Sequence, residues 1–346
     1  MRSLFLLVLL FISHVGFGQT KNYKVICVGF YNLENLFDTI NQPEVNDEDF
    51  TPAGANHYTS EVYWDKLHHL SRVISEIGTD ITPDGAAILG VAEIENHTTL
   101  DDLVKMESIK GRNYKVLEYD SPDLRGIDVA LLYNPKYFTL ESSKSLFVPL
   151  PSPDDSGTYF TRDVLWATGK LDGETVHIFV NHWPSRRGGE EASAPNRAIA
   201  AGVSKKIIDS LMAIDPNTKI ILMGDLNDNP TDPSMTKVLG CKPEISKVKP
   251  GGMFNPWVDF YKKGLGTLGY QDAWSLFDQI VYSYGWLDKN QSGYFFHKAH
   301  IFNKEYMVEK LGNFAGYPKR TFSGNLYNAG YSDHFPTYTI LLKEIK

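Results

Sequence analysis

Residues 329–342 read AGYSDHFPTYTILL, so an acid and an imidazole, Asp333 and His334, stand side by side directly before an apolar strand. Two adjacent titratable groups directly before a strand suggest a functional site whose other residues come from elsewhere in the chain. The other predicted strands supply such members.

Polar side chains with the same chemistry occur at five other predicted strand ends. They are Asn32 and Glu34, Glu93 and Glu95, Asn181 and His182, Asp225, Asn227 and Asp228, and finally Asp278, which opens a strand. A single Asn or Glu at a strand end is more often a turn or capping residue, and GDLND (224–228) alone is also typical of an Asx-turn. Capping alone does not easily explain six such ends in one chain.

The chemistry of this set favours a hard divalent cation. Carboxylate and amide oxygens without a thiolate cluster suit Mg²⁺, with Mn²⁺ or Ca²⁺ as alternatives. We predict Asn32 and Glu93 as ligands, with Asp333 as a possible third. Zinc sites use several His or Cys residues, and no HxxxH or CxxC spacing occurs in the sequence.

Histidines beside acids suit phosphate chemistry. We predict that His182 and His334 pair with charge that develops on phosphorus, and that a neighbouring Asp fixes the imidazole tautomer. Asp225 would orient or deprotonate an attacking water, and Asn227 would hold a phosphate oxygen. Which histidine acts as acid and which as base stays open.

The pattern of apolar residues predicts one α/β domain over residues 22–346. The chain has 346 residues, of which 42% are hydrophobic, and this is ample for a large core. Many strands and few helices favour two stacked sheets with helices outside. The predicted strands are 23–31, 86–92, 114–119, 127–133, 163–170, 175–181, 219–224, 279–284 and 336–343.

Two long helices and one short helix are predicted from apolar spacing. Residues 61–78 carry Trp64, Leu67, Leu70, Ile74 and Ile77 on one face. Residues 196–215 carry Ile199, Val203, Ile207 and Leu211. A shorter helix near 98–107 would begin at a Thr cap.

The first 18 residues, MRSLFLLVLLFISHVGFG, have the features of a secretory signal peptide: one Arg, a short apolar run and small residues near its end. The alternative is a retained N-terminal anchor, but the run is shorter than the about 20 residues that span a bilayer. We expect a secreted or periplasmic protein without a stable membrane span. A disulfide between Cys27 and Cys241 is permitted in such a compartment, but the sequence does not establish it.

In their order along the chain, these motifs resemble the endonuclease/exonuclease/phosphatase superfamily, which has the DNase I-like fold. Asn32 in FYNLEN, Glu93 in VAEIEN and His182 in NHWPSR look like the family's first-strand Asn, metal-binding Glu and first catalytic His. Asp225 and Asn227 match its GDxN pattern, and SDH at 332–334 matches its terminal motif.

The resemblance implies a four-layer α/β/β/α sandwich that hydrolyses phosphodiesters or phosphomonoesters with a divalent metal. It implies that Asp278 orients His334, and that Asp333 faces the metal or supports His182. The residue that braces His182 stays open, since Arg125 and Asp128 both lie near the expected place.

Four arginines are predicted to bind substrate phosphate: Arg162, Arg186, Arg187 and Arg197. A solvated turn with a helix start is the alternative for the last three. We expect a metal-dependent phosphoric ester hydrolase and a monomer, with an endonuclease acting on nucleic acid as the leading hypothesis. The alternatives are an enzyme for small phosphate esters, inositol phosphates or phospholipid headgroups, and a non-catalytic binding protein. The net charge of −8 argues against a broad nucleic-acid clamp.

Two segments leave further choices open. The aromatic-rich residues 251–270 are predicted to cover the core, with an exposed lipid-directed hairpin as the alternative. Residues 317–331, with Lys319, Arg320, Tyr327 and Tyr331, either stack on a base or headgroup or form an ordinary surface loop.

Overall fold

The computed structural model describes residues 21–152, 157–291 and 293–345. In chain order the strands are β1 (Asn22–Leu36), β2 (Ala86–Ile94), β3 (Lys115–Glu118), β4 (Asp128–Tyr133), β5 (Phe138–Leu146), β6 (Leu150–Pro151), β7 (Thr158–Tyr159), β8 (Val164–Leu171), β9 (Glu174–His182), β10 (Lys219–Asp225), β11 (Met253–Phe254), β12 (Leu268–Tyr270), β13 (Ala273–Ser275), β14 (Asp278–Ser283), β15 (Phe295–Ile301), β16 (Phe322–Ser323), β17 (Leu326–Tyr327) and β18 (Thr337–Ile345). The α-helices are α1 (Ser60–Glu76), α2 (His97–Lys105), α3 (Glu190–Ile214) and α4 (Val258–Lys262).

Two six-stranded sheets form the centre of the molecule. The first has the order β15-β18-β1-β2-β4-β3, and the second has the order β11-β14-β10-β9-β8-β5. Their facing sides share one hydrophobic core, which includes Val28, Phe30, Ile178, Val180 and Met223. The sheets approach so closely that a Cβ on Gly90 of β2 would lie 2.5 Å from Sδ of Met223.

Helices cover the outer face of each sheet. Leu67 and Leu70 of α1 and Leu100 of α2 pack on the first sheet, and Ile208 and Met212 of α3 pack on the second. The predicted four-layer α/β/β/α sandwich is therefore confirmed.

All nine predicted strands are present, within a few residues of their expected ends. Among the strands of the two large sheets, the sequence prediction missed β5, the edge strand opposite β11, and β15, the edge strand opposite β3. Both strands have several exposed positions with polar residues, such as Lys144 and His297, so their apolar pattern is weak.

The helix predictions need four corrections. Trp64 is exposed on α1, whereas its spacing predicted burial. The cap of α2 is Asn96, whose Oδ1 accepts from the Thr99 amide at 3.0 Å, and not a threonine. Helix α3 begins at Glu190, six residues before the predicted start at 196, and includes Pro195. Its innermost line is Ala200, Ser204, Ile208 and Met212, one residue beyond the predicted line.

The segment 251–270 covers the core as predicted. Met253, Phe254 and Trp257 are buried, and the Trp257 indole donates to the Ile280 carbonyl at 2.9 Å. Cys27 and Cys241 are buried free thiols in different layers of the sandwich. The predicted signal peptide, residues 1–18, lies outside the described residues, and in the described ranges no helix is both long and apolar enough to cross a bilayer.

Candidate active site

Strand direction brings the polar strand ends to one edge of the sandwich. Strands β1 and β2 are parallel, as are β9 and β10, so Asn32, Glu93, His182 and Asp225 all lie at carboxyl ends. Strand β14 runs antiparallel to β10, and this direction pairs its first residue, Asp278, with Asp225.

The Asp333–His334 pair lies in the bend that leads into β18, and not on the strand itself. Strand β18 is antiparallel to β1, so its beginning reaches the same edge as Asn32. The Ser332 hydroxyl donates to the Asn32 carbonyl at 2.7 Å and accepts from the His334 amide at 3.0 Å. These two bonds fix the bend against β1.

Asp225 is the central group of this edge. Its Oδ2 lies 3.0 Å from Nδ2 of Asn32, 3.7 Å from Nε2 of His182 and 3.8 Å from Nε2 of His334. Burial raises the pKa of Asp225 to about 7. The preceding Gly224 is required by packing, since a Cβ there would lie 2.2 Å from the Asn181 carbonyl oxygen of β9.

His334 is held by a buried carboxylate. Its Nδ1 lies 2.7 Å from Oδ2 of Asp278, whose side chain has no exposed surface. Burial alone would lower the pKa of His334, but Asp278 and Asp225 outweigh burial and hold the pKa well above its usual range. Oxygens and nitrogens of Asp225, Asp278 and His334 also lie within 4.8 Å of one another, as metal ligands can. The short Asp278–His334 contact better suits an oriented imidazole.

His182 has a different environment. Its Nε2 lies 3.7 Å from Oε1 of Glu93, and within the described ranges its buried Nδ1 has no hydrogen-bond partner. Burial, together with the positive charges of Arg162 and Arg125, lowers the pKa of His182 well below its usual range. Asp128, one candidate brace, instead accepts bonds from the amide and hydroxyl of Ser121.

The predicted metal ligands occupy one side of the cleft. Oε2 of Glu93 accepts from the Asn35 amide at 3.0 Å, and Oδ1 of Asn32 accepts from the Glu34 amide at 2.9 Å. Asp333 is a quarter exposed, and its Oδ2 lies 3.3 Å from Nη2 of Arg320. Glu93, Glu34 and Asn35 adopt left-handed backbone conformations, which are costly for residues other than glycine and often occur at functional sites.

A buried lysine supports this side and was missed in the sequence. The Lys66 ammonium contacts the Glu34 carbonyl and lies 3.1 Å from the Thr321 hydroxyl. The carboxylate of Glu34 accepts from the Thr321 amide at 2.6 Å. The apolar spacing of α1 gave no sign that a lysine on this helix would point inward.

Asn227 follows Asp225 closely and also has a left-handed backbone, with φ 48°. Its side-chain Nδ2 donates to the Trp183 carbonyl at 2.9 Å. Its backbone amide donates to Oδ1 of Asp225 at 3.1 Å. Asn227 therefore joins the loop after β9 to the central carboxylate.

The four arginines have different surroundings. Arg186 and Arg187 line a cavity of about 800 Å³ next to Asn227, and the Arg186 guanidinium lies over the Phe277 ring. Arg187 keeps its predicted place beside the site. Arg186 lies beside the site as well, but its guanidinium is already paired: Nε donates to the Asn227 carbonyl at 2.9 Å, Nη2 donates to Asp232 at 2.7 Å, and Nη1 contacts Glu190. Arg162 is buried, and its Nη atoms bond Asp123 and the Trp183 carbonyl, at 3.1 Å and 2.7 Å. We therefore revise its predicted role from direct phosphate contact to support of the loop after β9.

The prediction for Arg197 is wrong. Arg197 has no exposed surface, and it contacts the buried carboxylate of Asp228 and donates to the Ser193 hydroxyl at 2.7 Å. Its short distance from His182 in sequence suggested a phosphate clamp, whereas the inward face of α3 makes it part of the protein interior.

A second cavity, of about 490 Å³, lies on the Asp333 side of the centre. The hairpin formed by β12 and β13 separates the two cavities, because Tyr270 and Gln271 line both of them. The sequence gave no signal for this hairpin, whose strands are only three residues long.

Comparison with known proteins gives one family and one fold. The family model described as the endonuclease/exonuclease/phosphatase family matches residues 27–343. No curated protein sequence matches the chain.

Similar solved structures include humanized D. rerio TDP2 (TM-score 0.55, 13% identity, covering 92% of this chain and 98% of that one) and D. rerio TDP2 complexed with a single-strand DNA product (0.53, 13%, 92% and 98%). Another is the Bacteroides thetaiotaomicron mannosyl-6-phosphatase Bt3783 (0.53, 16%, 93% and 100%). At these identities the likeness is one of fold.

Proposed function

The chain belongs to the endonuclease/exonuclease/phosphatase family and is a phosphoric ester hydrolase; from this premise we propose that it cleaves phosphodiester bonds in nucleic acid with the help of a divalent cation. The observation that carries this proposal is the pair of cavities that the β12–β13 hairpin separates, one next to Asn227 and the other next to Asp333. One contains Asn227 and two arginines, and the other contains Asp333 and Arg320. A phosphodiester has a substituent on each side of the phosphorus, and two cavities accommodate both.

The residues present fit a hard cation such as Mg²⁺. Asn32 and Glu93 offer an amide and a carboxylate oxygen from neighbouring strands, and Asp333 adds a second carboxylate nearby. Negative charge is concentrated here, since Glu34, Asp333 and Glu93 all act on the buried Lys66 ammonium. A bound divalent cation would polarise a phosphoryl oxygen and acidify water.

The protein's own groups would divide the remaining work. Asp225, with a pKa near 7, would accept the proton of the attacking water. His334, kept protonated by Asp278, would stabilise negative charge on the phosphate oxygens and donate a proton to the leaving oxygen. His182, which is neutral, would donate one hydrogen bond from its protonated ring nitrogen. This division assigns the acid role to His334, a choice that the sequence alone left open.

We also propose that the protein is exported, with residues 1–18 removed. The support is the apolar run and small residues at the N-terminus. Cleavage of extracellular nucleic acid would suit a protein of this kind.

A small phosphate ester is the second candidate substrate. The observation that favours it is the net charge of −8, because a negatively charged protein gains little long-range attraction for a polynucleotide. In that case only the cavity beside Arg186 and Arg187 would be filled.

The test compares plasmid nicking, bis(p-nitrophenyl) phosphate hydrolysis and phosphate release from sugar phosphates. The protein would be used with Mg²⁺, with EDTA, and as the Asp225→Asn variant, which keeps the shape of the side chain. Mg²⁺-dependent nicking that the variant lacks is the expected result. Phosphate release without nicking, from folded protein, would reject the nucleic-acid proposal in favour of small esters.

A further inference from the structure

We propose that the cavity on the Asp333 side, hereafter the aromatic cavity, holds one unstacked nucleobase next to the scissile phosphate, so that the substrate is a single strand. This inference rests on the proposed function and adds a substrate class to it. Beyond Asp333, the aromatic cavity is lined by the aromatic side chains Tyr270, Phe314 and Tyr317 and by Arg320, Asn313 and Asn328, among others.

Large aromatic surfaces stand exposed around the aromatic cavity. Tyr270 is 67% exposed and Phe314 is 59% exposed. Exposed aromatic side chains grouped around a cavity mark a binding site for an apolar or planar ligand more often than isolated ones do. A volume of about 490 Å³ lies in the range of small-molecule and cofactor sites.

Specific contacts join the β12–β13 hairpin to the loop that contains Tyr317. The Tyr317 hydroxyl accepts from the Asp272 amide at 2.8 Å, which ties the loop to the tip of the hairpin. A Cβ on Gly269 would lie 2.7 Å from the Tyr317 ring, so the glycine allows the hairpin to lie flat on that ring. The Tyr317 ring also packs edge-on against Trp274, at 5.6 Å between centroids. These contacts fix one wall of the aromatic cavity.

The aromatic cavity borders the catalytic groups through Asp333. Asp333, which lines it, lies next to His334 in sequence, and its Oδ1 is 4.0 Å from Nε2 of that histidine. Arg320 reaches Asp333 at 3.3 Å and is half exposed, so it can also meet a phosphate oxygen of the strand. A nucleotide next to the cleavage point would therefore have its phosphate at Arg320 and its base among the aromatic rings.

The chemistry of the aromatic cavity suits a base that has left its stack. Aromatic rings stack on any base. The Asn313 side chain, which lines the cavity, can meet the edge of the base, whereas the amides of Asn328 and Gln271 already donate to neighbouring residues. A base within a duplex is covered on both faces and cannot offer one to Tyr270 or Phe314. The structure thus favours single strands over duplexes, without strong preference for one base.

The test uses a series of single-stranded oligonucleotides, each with one abasic nucleotide at a different distance from the cleavage point. An abasic nucleotide at one flanking position should lower kcat/KM by about 10- to 100-fold, since stacking contributes of the order of one to two powers of ten per base. In Tyr270→Ala and Phe314→Ala the intact and abasic strands should be cut with nearly equal kcat/KM. The matched control is Tyr23→Ala, an exposed tyrosine at the opposite end of β1, which should keep the wild-type pattern.

Three results would overturn the proposal. A flat abasic profile in the wild-type protein, or equal kcat/KM for duplex and single strand, would reject the base site while leaving nucleic-acid cleavage intact. No cleavage of any oligonucleotide, with bis(p-nitrophenyl) phosphate still hydrolysed, would reject the base site and the proposed nucleic-acid substrate together.

Discussion

The surroundings of His182 and of His334 differ although both imidazoles face the same carboxylate. His334 has a buried acid, Asp278, at Nδ1, whereas Nδ1 of His182 has no partner among the described residues and two arginines act on its ring. The pKa of His334 is raised and that of His182 is lowered. One edge of a sandwich thus provides a charged and a neutral imidazole at 3.8 Å and 3.7 Å from one oxygen of Asp225.

The largest loss of activity is expected from replacing Asp225, the carboxylate that both histidines face. Asp225→Asn should lower kcat/KM on a phosphodiester by about 10³-fold or more, because the general base is lost and both imidazoles lose the negative charge that they face. Circular dichroism should show a folded protein. Activity within tenfold of wild type would mean that Asp225 is not the base.

Asp278→Asn makes the His334 region resemble the His182 region. Without the carboxylate the pKa of His334 falls, and kcat/KM at neutral pH should drop by about 10²-fold. Because His334 acts as the acid, activity requires its protonated form. This form is present below the pKa of His334 and is lost as pH rises through that pKa. The falling limb of the pH–rate profile should therefore move to lower pH in the variant. An unmoved limb would show that His334 does not supply the acid.

Glu93→Gln tests the His182 side, where the cation is proposed to bind. One ligand charge is lost, so the Mg²⁺ concentration for half-maximal activity should rise by about 10-fold or more, with a smaller change in kcat at saturating metal. The matched control is Glu95→Gln, two residues further along the chain. The Glu95 carboxylate already accepts from the Asp38 amide and the Gln42 side chain. If Glu93→Gln has the Mg²⁺ titration of wild type, Glu93 is not a ligand.

The smallest effect on turnover is expected at Arg197. Arg197→Met removes the closest partner of the buried Asp228 carboxylate, which keeps the Ser234 hydroxyl at 2.6 Å and Arg186 at 3.6 Å, and should lower the free energy of unfolding by about 3–5 kcal/mol. Activity per folded molecule should stay near wild type. Arg187→Met is the matched comparison, since this exposed arginine lines the cavity beside Asn227 and should change KM with little change in stability. Denaturant unfolding and kinetics separate the two outcomes.

The sequence was most informative about the fold where both faces of a strand are buried. Strands such as β1, β2 and β10 are nearly continuous apolar runs, and their polar ends therefore stood out as a set. The edge strands β5 and β15 lacked that pattern. The short hairpin β12–β13, which divides the two cavities, has too few residues to show any period.

The site was predictable in its membership but not in its electrostatics. Strand direction brings Asp278 to Asp225, as the ordered motifs implied. The lowered pKa of His182 depends in part on the charges of Arg162 and Arg125, which both pair with Asp123 and lie far from His182 in sequence. Arg187 lies exposed in the turn before α3, whereas Arg197 lies on the inward face of α3 beside its buried partner Asp228. Spacing alone does not carry that information.

The central claim is that the cleft holds one charged and one neutral imidazole, and the direct test is NMR of the ring nitrogens. Histidine-labelled protein would be titrated without metal, with His182→Gln and His334→Gln spectra to assign the signals. At pH 7.5 we expect the ring-nitrogen signals of His334 to show the cationic imidazolium pattern and those of His182 to show the neutral imidazole pattern. If both rings titrate together near the free value of about 6.5, the claim is contradicted.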